Sequence, residues 1–175
     1  MIKAIEFDQI FAIMEASFPA IERRTYAGQK ELLTDPHYRL ITETDDKGSI
    51  IAFLAVWEFP MFRFVEHIAV DPSVRGGGLG GKLMNAYIRE SSKPVILEVE
   101  PPETELAERR IGFYERLGFR LNPFDYLQPP LQTGLPELPL QMMSYPELLK
   151  DEEFSLFREM LYTRVYKTKG AFIYE

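Results

Sequence analysis

The chain has 175 residues, 46% hydrophobic and 27% charged, which fits a single globular domain and excludes a disordered or low-complexity chain. It has no cysteine and only two histidines, His37 and His67, which excludes disulfides, Cys-ligated zinc, iron–sulfur clusters and a covalent cysteine intermediate, so that no metal is expected. Asp and Glu (27) outnumber Lys and Arg (20), for a formal charge of −7 that argues against a nucleic-acid partner, and no apolar run approaches the roughly 20 residues that a bilayer span requires.

Acidic residues interrupt the N-terminus, Met1-Ile2-Lys3-Ala4-Ile5-Glu6-Phe7-Asp8, and no apolar signal segment follows. A soluble cytoplasmic protein that engages no membrane is therefore expected. Residues 1–7 suit a short strand. From Asp8, a plausible N-cap, the apolar residues Ile10, Phe11, Ile13, Met14 and Phe18 fall at helical spacing until Pro19 stops the run. A second short helix is expected over 25–33. Strands follow at 38–44, 49–59 and 62–70, separated by turns at Asp45-Asp46-Lys47-Gly48 and Pro60-Met61, and these neighbours should form an antiparallel meander.

After residues 71–75 comes Gly76-Gly77-Gly78-Leu79-Gly80-Gly81, then a helix over about 79–90 with Leu79, Leu83, Ala86 and Tyr87 on one face. Pro94 opens a strand at 95–100, so strand, glycine loop, helix and strand make a βαβ unit with parallel strands. A helix over 103–117 ends at Gly118. A strand is expected at 119–127, a Pro-rich loop at 128–139, a strand at 140–145 and an amphipathic helix at 151–166. Hairpins first and one βαβ unit later give a mixed, largely antiparallel α+β sheet with flanking helices and an extra C-terminal helix.

The glycine run invites an anion, because a helix N-terminus exposes unpaired N–H groups and glycine admits a phosphate to the backbone. Three readings compete. Gly76-x-Gly78-x-x-Gly81 matches the G-x-G-x-x-G of a nicotinamide dinucleotide site, with Glu98 available for a ribose; yet five residues separate it from the preceding strand. Gly76 to Lys82 fits a P-loop except that Leu83 stands where Ser or Thr must ligate magnesium. The third reading takes the whole stretch from His67 to Gly80, which resembles the acetyl-CoA signature of the GNAT acetyltransferases: a strand ending in Ala-Val, then Asp-Pro, then Arg/Gln-x-x-Gly-x-Gly/Ala. Arg75, Gly78 and Gly80 fill the diagnostic positions. A second block, Phe113-Tyr114-Glu115-Arg116-Leu117-Gly118-Phe119, is similar to the family's Phe-Tyr-Glu-x-x-Gly-Phe segment, in the right order and with one strand between the blocks.

This resemblance covers about residues 1–145 and leaves 146–175 as a C-terminal helical extension packed on the same domain. It implies an N-acetyltransferase that moves the acetyl group of acetyl-CoA to a primary amine by direct attack in a ternary complex. The pantetheine arm would bond the backbone of Ile68, Ala69 and Val70. The pyrophosphate would sit on the N–H groups of Gly76, Gly77, Gly78, Leu79, Gly80 and Gly81, with Arg75 orienting the loop or meeting a phosphate. Tyr114 would protonate the departing thiolate.

For the base, strand alternation puts Glu66 with Phe64 and Ile68, and His67 on the opposite face; Glu98 and Glu100 share a face of the next strand. Glu66 and Glu100 are the leading candidates. The family's Asn and Ala, seven and four residues before the tyrosine, are here Ala107 and Arg110. That departure keeps open a non-catalytic acyl-CoA binding module on the same fold. The acceptor would be a small-molecule or peptide amine, cationic by charge complementarity, meeting Phe18, Glu22, Arg23, Arg24 and the loop at 128–139, on a monomer or homodimer.

Overall fold

The computed structural model describes residues 1–168. The fold is mixed α+β, with a seven-stranded, mostly antiparallel sheet and flanking helices. The chain forms two compact units, Met1–Val95 and Ile96–Glu175.

In the first unit the expected N-terminal strand is absent. Helix α1 (Ala4–Ser17) starts there instead. Phe7 extends the helical period of Ile10, Phe11 and Met14, and all four are buried; burying that stripe outweighs the weak strand signal of residues 1–7. The Lys3 N–H donates to the Glu6 carboxylate at 2.7 Å and closes the first turn. Helix α2 (Tyr26–Glu31) is capped by the Thr25 hydroxyl, which accepts from the Gly28 N–H at 3.1 Å.

The meander forms as expected from β1 (Tyr38–Thr44), β2 (Ile50–Glu58) and β3 (Arg63–Val70), antiparallel throughout. Its register shifts twice, between Glu43 and Thr44 where β1 meets β2, and again between β2 and β3, where alternation along the strand does not reveal it. Ala55 pairs with His67 and Val56 with Val65, so Glu66 is an extra residue, a β-bulge. Side chains beyond the bulge therefore change face relative to those before it.

A 3₁₀ turn, Pro72–Val74, leads to α3 (Leu79–Arg89). Its core face is Leu83, Met84, Tyr87 and Ile88. Ala86, expected on that face, is exposed, because the buried stripe follows the i, i+4 rows 83–87 and 84–88. The far end of α3 is held by Arg63, 2% exposed. Its guanidinium donates to the carbonyls of Tyr87 (2.7 Å), Ile88 (3.3 Å), Ser91 (3.0 Å) and Lys93 (2.7 Å). These include carbonyls that a helix C-terminus leaves without partners.

Strand β4 (Val95–Val99) contains the division between the units. In the second unit α4 (Glu105–Arg116) is capped by Thr104, which accepts from the Ala107 N–H at 3.1 Å, and is closed by Gly118 at φ +100°. The strand expected at 119–127 is broken into β5 (Arg120–Leu121) and β6 (Tyr126–Gln128). Pro123 has no N–H for a ladder. The Asn122 side chain, fully buried, donates to Met142 O and Ser144 Oγ and accepts from the Leu149 N–H. Both short strands pair antiparallel with β7 (Leu138–Tyr145), which starts two residues earlier than expected, with Pro139 opposite Leu127. The C-terminal helix is α5 (Asp151–Met160) followed by a π-helical turn, Leu161–Val165. Phe154, Phe157, Leu161 and Val165 are buried, and Phe154 stacks on Phe124 at 4.3 Å. The last seven residues expected in this extension, 169–175, lie outside the described residues. No helix among the described residues is long and apolar enough to cross a membrane.

Candidate active site

Glycine is required in the loop between β3 and α3. Gly76 (φ +94°) and Gly78 (φ +75°) both lie in the left-handed region, and a Cβ on either would meet nothing within 4 Å. The constraint is therefore the backbone conformation and not crowding. Gly78 is the N-cap of α3 and accepts the first helical bond, from Lys82 N at 3.1 Å. The loop is open and exposed from Ser73 to Gly78, so an anion can reach the N–H groups of the first helical turn, where the helix dipole favours it. These residues fit a phosphate-bearing ligand.

Arg75 turns back from this loop. Its Nε donates to the Val70 carbonyl at 3.1 Å and its Nη2 to the Ser17 hydroxyl at 3.1 Å. It thus ties the loop to the end of β3 and the end of α1. On β3 itself Ala69 is buried, while Ile68 and Val70 are half-buried.

The bulge brings Glu66 and His67 to one face, in place of the opposite faces expected. Trp57 and Ala55 share a face of β2 and pair with Phe64 and His67, and the Trp57 indole N–H donates to Glu66 Oε1 at 2.8 Å. Ile68, opposite Leu54, turns the other way. The second Glu66 oxygen accepts from Arg24 Nη1 at 2.6 Å, with side-chain exposures of 2% and 8%. Burial pushes the Glu66 carboxyl up, but the Arg24 charge, the neighbouring His67 and the Trp57 and Arg24 hydrogen bonds together hold it below the ordinary value.

The His67 Nε2 lies 2.9 Å from the Glu22 carbonyl oxygen. A carbonyl only accepts, so Nε2 carries the proton and Nδ1 is a bare lone pair. That Nδ1 is buried without a hydrogen-bond partner. The half-buried Phe18 ring meets the imidazole edge-on at 4.8 Å. Burial lowers the His67 pKa, against the raising effect of Glu66, and the imidazole is neutral at pH 7.

In the second unit Tyr114 is half-buried on α4, with Phe113 at 5.2 Å and Phe119 at 5.8 Å between ring centroids. Burial pushes its phenol up to about 12, opposed by the charge of Arg110 one turn earlier. Arg110 also stands 3.9 Å from Glu100, both more than a third exposed. Glu98 points into a different cluster: its Oε1 accepts from Gln128 Nε2 at 3.0 Å and from the Tyr166 hydroxyl. Ala107 is 1% exposed and faces the core. Sequence reasoning did not find the Arg24–Glu66–Trp57 cluster, because its partners are distant in sequence and the bulge that gathers them carries no local signal.

Fold and loop together give a strand-to-helix crossover whose exposed helix N-terminus suits an anionic, phosphate-bearing ligand. The model of the acetyltransferase (GNAT) domain matches residues 35–121. The Bacillus subtilis protein YjbC, an acetyltransferase by name, is 35% identical over 105 residues, which are 59% of this chain and 52% of YjbC. The chain thus spans about half the length of that curated relative. A solved Bacteroides thetaiotaomicron structure assigned to the GNAT family is 32% identical, with a TM-score of 0.86 and coverage of 94% of each chain. An aminoglycoside 6'-N-acetyltransferase solved with coenzyme A has the same fold at a TM-score of 0.60 and 16% identity, covering 85% of this chain and 95% of that one. The chain belongs to the GNAT acetyltransferase family.

Proposed function

We propose that the protein transfers the acetyl group of acetyl-CoA to a primary amine by direct attack. The observation that carries this reading is the paired left-handed glycines, Gly76 and Gly78, at the start of α3 in a chain of this family. The pyrophosphate of the donor rests on the N–H groups of the 76–81 loop, Arg75 fixes that loop, and the backbone of Ile68, Ala69 and Val70 meets the pantetheine arm. The amine nitrogen attacks the thioester carbonyl, the N–C bond forms and the C–S bond breaks. The Tyr114 hydroxyl gives its proton to the departing CoA thiolate, and the proton that the nitrogen sheds as the amide forms restores the phenol; a phenol pushed up to about 12 keeps its proton until the thiolate leaves.

The two carboxylates expected as base divide in this reading. Glu66, ionised and bonded to Arg24 and Trp57, binds a proton weakly and serves to hold Arg24. Glu100 attracts a cationic acceptor, which the net charge of −7 also favours. Arg24, expected among the acceptor contacts, is 7% exposed and committed to Glu66.

The test is CoA release measured with a thiol reagent across polyamines, amino sugars and peptides. The chain has no cysteine of its own, so the reagent reads CoA alone. Amine-dependent release is expected, and Tyr114→Phe should lower kcat by about 100-fold while leaving acetyl-CoA affinity intact. Equal turnover in that variant would remove Tyr114 from the mechanism. A second reading, an acyl-CoA binding module without catalysis, is favoured by Ala107 and Arg110 at the positions of the family's Asn and Ala; it predicts tight CoA binding and no release with any amine.

A further inference from the structure

We infer that His67, brought beside Glu66 by the β3 bulge and holding a bare, unpartnered Nδ1, is the general base that takes the proton from the acceptor amine. The inference rests on the acetyltransferase reading and deepens it. Alternation along β3 assigns the base to a carboxylate and sends His67 to the other side; the extra residue at 66 reverses that assignment. Glu66 spends both oxygens, on Arg24 and on Trp57. His67 spends only one nitrogen, and the bond that Nε2–H makes to the Glu22 carbonyl fixes the tautomer and the ring orientation. A buried nitrogen lone pair without a donor is a standing cost unless it serves a ligand.

The titratable and charged groups that face the ring are Glu66 from its own strand and Arg24 from the segment before α2; the residue bonded to Nε2, through its backbone, is Glu22. Burial keeps the imidazole neutral and able to accept at pH 7. The proton passes from the acceptor ammonium to Nδ1, directly or through one water, and leaves the amine neutral for attack on the thioester. The imidazolium so formed lies beside the Glu66 carboxylate, which favours it. It returns the proton to solvent after the acetylated product leaves.

The variant that separates catalysis from structure is His67→Gln, whose amide N–H can keep the bond to the Glu22 carbonyl while its oxygen is too weakly basic to take a proton in place of Nδ1. With an amine that the wild type acetylates, His67→Gln should lower kcat/KM about 100-fold. It should also lose the acid limb of the pH profile, with acetyl-CoA affinity unchanged. Turnover within twofold of the wild type, with the acid limb intact, would overturn the inference. Nitrogen NMR of the wild-type ring, independent of activity, should show protonated Nε2 and bare Nδ1 at pH 7. A protonated Nδ1 at that pH would overturn it even if the variant failed to fold. Absence of amine-dependent release from the wild type is a different failure: it removes the acetyltransferase reading, and this inference with it.

Discussion

Arg24 and Glu66 are opposite charges held out of water against each other. A buried ion pair is weak evidence of net stability, yet removing one partner leaves an uncompensated charge. Arg24→Ala should therefore cost about 3–5 kcal/mol, read by urea unfolding at pH 7; a loss under about 1 kcal/mol would mean that the pair is open to water in solution. The pH dependence follows from the directions of the two shifts. The folded-state pKa of Glu66 is depressed, so its contribution is present above the unfolded value of about 4.3 and is lost as pH falls through the folded one. His67 is also depressed, so the folded state binds fewer protons and stability declines as pH falls below about 6.5. Melting temperatures between pH 7 and 5 should fall in the wild type, and His67→Gln should flatten that decline.

The helices that carry the two sequence blocks are fixed at both ends. The open loop with Gly78 as N-cap starts α3, and Arg63 closes its far end through a set of backbone carbonyls. Replacing Arg63 with Leu should cost about 3 kcal/mol or more, because several buried carbonyls lose a charged donor at once. Chemical denaturation would measure this, and a loss near zero would contradict the assigned role. Gly118 has the same standing on α4. It sits at φ +100°, and a Cβ there would lie 2.8 Å from the Tyr145 ring. Gly118→Ala should destabilise by roughly 1–3 kcal/mol without a direct effect on chemistry, seen as a lower melting temperature with unchanged acetyl-CoA affinity.

The elements that could be read from the sequence are those with local punctuation: the hairpin turn at Asp45–Gly48, the glycine loop, and the Gly118 end of α4. What escaped depends on distant partners. The start of α1 at Ala4 follows from a core that only tertiary packing supplies. The break between β5 and β6 follows from Asn122 bonding Met142, Ser144 and Leu149. The bulge at Glu66 appears only when β2 is laid against β3, and it decides which side chains near the site are neighbours.

Over the molecule as a whole, the sequence resemblance rests on two blocks, 67–80 and 113–119, of which the first falls in one compact unit and the second in the other. The glycine loop alone permitted a dinucleotide or a nucleoside triphosphate. The antiparallel meander before it, and the 3₁₀ turn between β3 and the glycines, do not suit a doubly wound dinucleotide fold. Acetyl-CoA is the ligand that the whole chain should recognise. The measurement to make is a thermal-shift titration with acetyl-CoA, CoA and NADH in parallel. At 100 times the dissociation constant a ligand stabilises by about 2.7 kcal/mol, which for a chain of this size raises the midpoint by roughly 5–10 °C. A saturable rise with acetyl-CoA and CoA, and none with NADH, is the predicted result. A rise with NADH alone, or with none of the three, would contradict the assignment of the glycine loop to acetyl-CoA.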